Sequence, residues 1–113
     1  MIFEYLAEFE KDLKKLSKRF RSLNEDLEVL KKVLADNPRA CPPNRLLISN
    51  LGIQHDIIKV KKFACKALKG RGANTGIRII YAFHNEKQKI VFIEMYFKGD
   101  KDNEDRDRIL NSF

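Results

Sequence analysis

The hydrophobic period changes once along this chain, and that change limits the folds open to it. Phe9, Leu13, Leu16 and Phe20 follow the spacing i, i+4, i+7, i+11, and Leu23, Leu27, Leu30 and Leu34 repeat it. Each set makes one face of a helix. Ser22 and Glu25 have the spacing of a capping box at the start of the second helix. Asp36-Asn37-Pro38 ends it, because proline cannot continue a helix. So short a connection between two helices predicts an antiparallel hairpin. Residues 37–56 read as a loop, with one turn around 46–51. Beyond it the chain turns β-branched and aromatic: IIKVKKFA (57–64), IRIIYAF (77–83) and KIVFIEMYF (89–97) read as strands, with a turn at HNEKQ. Residues 2–6 suit a short first strand or the start of a helix. The charged tail, 100–113, suits a short, solvated C-terminal helix. The expected architecture is α+β: a helical hairpin packed on one face of a small twisted antiparallel sheet.

The length of 113 residues suits one domain, 1–113, able to bury a core without a disulfide or metal. Two cysteines, Cys41 and Cys65, lie far apart and fit no CxxC pattern, as expected of free thiols in a reducing compartment. No basic-then-apolar leader opens the sequence, and no apolar run approaches the ~18 residues of a membrane span. A cytoplasmic protein is the expectation. The formal net charge of +7 calls for an anionic partner.

That charge is unevenly placed. From residue 57 to 85 the chain carries Lys59, Lys61, Lys62, Lys66, Lys69, Arg71 and Arg78, and no acid. Its middle, KGRGANTG, is glycine-rich and basic, as suits a backbone that approaches a sugar-phosphate chain closely. A plain flexible hairpin loop is the alternative. Alternation along the strands places Lys59, Lys61, Arg78, Glu94, Tyr96 and Lys98 on the sheet face away from the helices. It puts Val91, Ile93, Met95 and Phe97 together on the opposite side. His55 and His84 lack metal-ligand spacing and read as structural. No Walker loop, GxGxxG, Ser-His-Asp or Cys-His set is present.

The order helix–helix–strands, the segment IIKVKKFACKALKGRGANTGIRIIY and the later IEMYFKGD together resemble the RelE/ParE superfamily of toxins from toxin–antitoxin modules, in its RelE-like and HigB-like branch. The resemblance spans nearly the whole chain. It implies two N-terminal helices against a twisted antiparallel sheet, a cognate antitoxin as partner, and cleavage of messenger RNA in the ribosomal A site without metal or other cofactor. By the same resemblance Lys59 and Lys61 match the paired basic residues of the catalytic strand, Arg78 the arginine entering the next strand, and Lys98 the basic end of the last. Lys62, Lys66, Lys69, Arg71 and Lys101 would contact RNA.

The chain departs from the RelE enzymes at two points. Gly99 follows Lys98 where they carry arginine, and the tail has no tyrosine. Tyr96 or Glu94 would then serve as base. Two other readings stay open: a ParE-like gyrase poison, and a relative without nuclease activity that binds antitoxin or nucleic acid.

Overall fold

The computed structural model describes residues 1–113. In chain order they form β1 (Ile2–Tyr5), α1 (Ala7–Ser17), α2 (Leu23–Asp36), β2 (Arg45–Leu47), β3 (Asp56–Val60), β4 (Ile77–His84), β5 (Lys89–Phe97) and α3 (Arg106–Ser112). The five strands make one open sheet in the order β1-β5-β4-β3-β2. All pairs are antiparallel except β1 on β5, which is parallel from Ile2↔Lys89 to Tyr5↔Phe92. The sheet is therefore mixed, not purely antiparallel as expected from the sequence. Side-chain alternation is the same for both directions, so it cannot reveal the sense of an edge strand.

The predicted helical stripes are buried. Leu23, Leu27, Leu30 and Leu34 of α2, with Phe9 and Leu16 of α1, join one apolar cluster with Ile58, Val60, Ile77, Ile79, Tyr81, Phe83, Ile90, Phe92 and Met95 of the strands. Complete burial of Leu23 and Leu34 contributes about 1.5–3 kcal/mol each. Of the expected turn at 46–51, Leu46 and Leu47 belong instead to the edge strand β2, and 48–51 is irregular with a bend at 50–51. The capping box does not form either. Ser22 sits at the N-cap, but its hydroxyl donates to the Asp26 carboxylate at 2.7 Å and accepts from the Ala67 amide at 2.8 Å. Ser22 thus ties the glycine-rich loop to α2 instead of capping its own helix.

The other sheet face is covered too. A second apolar cluster there contains Ile57, Ile80, Ala82, Val91, Ile93 and Tyr96, closed by Ile109 of α3. Val91 and Ile93 therefore do not share a side with Met95 and Phe97. The cause is a β-bulge: Ile80 pairs with Glu94 and Tyr81 with Phe92, leaving Ile93 without a partner. One extra residue switches the alternation midway along the strand. The backbone groups beside the bulge find side chains. The Asp12 carboxylate accepts from Met95 N at 3.1 Å, and Arg108 donates to Ile93 O at 3.0 Å. Arg108 also pairs with Asp12 at 2.6 Å. The tail is thus not a solvated helix, since Ile109 is fully buried and Arg108 bolts α3 to α1.

The two histidines come together. His55 and His84 stack with ring centroids 3.7 Å apart, and Phe113 packs on His84 at 5.7 Å. Burial holds the His84 pKa below its ordinary value of 6.5, and neighbouring His55, Lys89 and Lys87 add to this, with Glu4 opposing. The folded state therefore binds this proton less readily than the unfolded one. Its stabilising contribution is complete above about pH 6.5 and declines as pH falls through that value. The urea midpoint is expected to drop between pH 7.5 and 5.5, and His84→Phe should flatten that drop. An unchanged slope in the variant would exclude His84 as its source.

Candidate phosphate-binding cleft

The loop between β3 and β4 is pinned at its base and free at its tip. Phe63 is buried, and its carbonyl accepts from the Thr75 hydroxyl at 2.7 Å. The same hydroxyl accepts from the Ile77 amide at 3.2 Å. Cys65 is buried beside Ser22, and the Lys66 amide donates to the buried Asp26 carboxylate at 3.3 Å. Between these anchors, Gly70 and Gly72 adopt φ of +80° and +57°, a region that disfavours side chains. Lys69 and Arg71 are carried on this exposed tip. Gly76 (φ +81°) returns the chain to β4, and its carbonyl accepts from Lys98 N at 2.8 Å. That bond holds the end of β5 beside the loop.

A cleft of about 400 Å³ lies between these segments, lined by Lys61, Lys62, Arg71, Arg78 and Lys98 together with Asn74, Thr75, Gly76, Phe97 and Gly99. Five cations line it and no carboxylate does. Lys61, Lys62, Arg71 and Lys98 are exposed, and Arg78 is half-buried. Arg78 donates one guanidinium bond to the Lys61 carbonyl at 3.0 Å, and Lys62 bonds Asn74. A guanidinium fixed on one side keeps donors for a bidentate grip on a phosphate. Such a grouping suits stabilising the charge that builds on a phosphorane.

The remaining residues singled out in the sequence lie elsewhere. Lys66 pairs with Glu25 at 3.6 Å on the surface. Lys59, Glu94 and Tyr96 lie next to the cleft but under the tail, and Lys101 belongs to the tail itself and is exposed. Glu94 is 2% exposed, ion-paired to Lys101 and bonded at 2.8 Å by the Asp105 amide. Lys59 pairs with Glu104 at 3.2 Å. Tyr96 is buried and its hydroxyl has no hydrogen-bond partner. Burial raises its pKa, against the lowering effect of Lys59. The face expected to be open is therefore open only at its Lys61–Arg78–Lys98 end. Asn74 and Thr75 carry no charge, and sequence reasoning passed over them. The polar pair inside a glycine-rich loop was the available signal.

Gly99 has a structural reason. A Cβ there would stand 2.5 Å from the Phe97 ring, which packs on Phe20 at 5.3 Å and lies under Arg19 at 5.2 Å. An arginine at this position would have to displace that ring.

This architecture has a counterpart among solved structures. The chain is similar to one in the crystal structure of the E. coli DinJ–YafQ complex, with a TM-score of 0.57 and 16% identity over 89% of this chain and 97% of that one. YafQ is a RelE-family toxin. At this identity the likeness concerns the fold. No protein-family model matches the sequence, and no curated protein matches it significantly. No helix is long and apolar enough to cross a membrane.

Proposed function

We propose that this chain is the toxin of a toxin–antitoxin module and cleaves messenger RNA on the ribosome through the Lys61–Lys62–Arg71–Arg78–Lys98 cleft. The observation that carries this reading is a cleft lined by five cations and no carboxylate, on a RelE-like fold. The RNA 2′-hydroxyl attacks the adjacent phosphate, leaving a cyclic phosphate and a 5′-hydroxyl. The chain's part is to hold the groups in line, neutralise charge and move protons. Arg78 grips the phosphate. Lys61 and Lys98 flank it, and the loop cations Lys62, Lys69 and Arg71 hold the neighbouring backbone. Tyr96 and Glu94 stay outside the open cleft, so a lysine of the cleft is the better candidate for proton transfer in this conformation. The partner in the cell is an antitoxin, and the site of action is the cytoplasm.

The test is binding of single-stranded RNA as salt is raised. Affinity should fall steeply between about 50 and 200 mM salt, and Lys98→Ala should reduce the slope by roughly one. A flat salt response would remove phosphate contact from the account.

A further inference from the structure

The acidic segment 100–107 lies over the sheet face that carries Lys59 and Glu94. Its Glu104 carboxylate, 10% exposed, lies 3.2 Å from the ammonium of Lys59, itself 17% exposed. Both charges have largely left water for each other. The Asp105 amide and Lys101 hold the buried Glu94 on the same face. Lys101 also lies 5.2 Å over the Tyr96 ring. Asp100 pairs with Arg19 at 2.6 Å at the start of the segment. The covered groups adjoin the open cleft, because Tyr96 is the direct cross-strand partner of Arg78. Lys59 faces Ile80, two residues along β4 from Arg78.

We propose that Lys59 marks a second phosphate subsite, continuous with the cleft, and that Glu104 fills it as an internal stand-in for an RNA phosphate. The carboxylate supplies the negative charge and acceptor oxygens that a phosphate would bring to the same ammonium. The free chain is then partly self-inhibited. Residues 100–105 must lift before RNA can extend from the cleft onto Lys59 and Tyr96. The anchors of the tail beyond this segment, Arg108 and Ile109, stay in place when it does. This separation matters for the test: deleting the tail would remove Ile109 from the second core, whereas Glu104→Gln keeps size and hydrogen bonding and removes only the charge. The inference rests on the phosphate-binding reading of the cleft.

The experiment titrates inorganic phosphate into 15N-labelled protein and follows backbone amides by NMR. In the wild type, Gly76 and Gly99 of the cleft should shift, while Lys59 and Tyr96 stay still. In Glu104→Gln, Lys59 and Tyr96 should also shift and saturate, and Lys59→Ala in that background should abolish the response at Tyr96. Glu104→Ala should behave as Glu104→Gln does. Silence at Lys59 in both Glu104 variants would overturn the subsite. So would an equal response in the wild type, since Glu104 would then exclude nothing. A second arm measures single-stranded RNA, for which Glu104→Gln should bind about tenfold tighter at low salt. If phosphate behaves as stated and RNA binds neither protein, the nucleic-acid reading fails and the subsite remains. If the wild type binds RNA but the variants show no gain and no phosphate response, the subsite fails and the reading remains.

Discussion

Arg78→Ala is expected to lower message cleavage in a translating extract by about 10²–10³-fold, the usual cost of losing one preorganised donor to transition-state charge. Its structural cost should be small. Arg78 is half-buried and makes one guanidinium bond, to the Lys61 carbonyl, worth about 1 kcal/mol. Activity and stability should therefore separate clearly when cleavage and the urea midpoint are measured on the same preparations. Arg78→Lys restores charge but not the two-pronged grip, so it should recover only part of the rate. If cleavage and stability fell in parallel, Arg78 would be a strut between β4 and the end of β3, and the cleft would lose its proposed clamp.

The second large effect concerns the tail. Arg108→Ala should destabilise the fold by about 3–5 kcal/mol, because it strands Asp12 without its cation in a largely buried site. The Arg108 and Asp12 side chains are 13% and 21% exposed. The same change leaves the Ile93 carbonyl at the bulge without its donor. Ile109→Ala should cost about 2–4 kcal/mol through the cavity left in the second core. Urea titration checks both. Losses under about 1 kcal/mol for both variants would mean that the tail lies loosely on the sheet, as a solvated helix would.

What the sequence disclosed follows from how locally each feature is encoded. The α2 stripe, Leu23 to Leu34, is legible because helical period and burial coincide over about three turns. The ends of β5 are legible because turn residues bound a β-branched run. The bulge at Ile93 is not, since a strand of nearly unbroken apolar residues gives no sign of where its alternation shifts. The parallel sense of β1 is hidden for a similar reason, as four residues of edge strand do not name their neighbour. Ser22 misleads because its hydroxyl has better partners in Asp26 and the distant Ala67 amide than in its own helix. At the candidate site, the one-sign run from Lys59 to Arg78 points to the cleft cations by charge alone. Nothing local says that Glu104, forty-five residues from Lys59 in sequence, comes back to cover it. Ile109 in a strongly charged tail was the clue that something there is buried.

If the cleft cuts messenger RNA, sequencing 5′-hydroxyl RNA ends in bacteria expressing the wild type or Arg78→Ala will reveal the cuts. Growth arrest and new ends at in-frame positions of translated messages are expected for the wild type, and neither for a well-folded variant. Arrest without new RNA ends would contradict RNA cleavage by the cleft and direct attention to another target, such as gyrase.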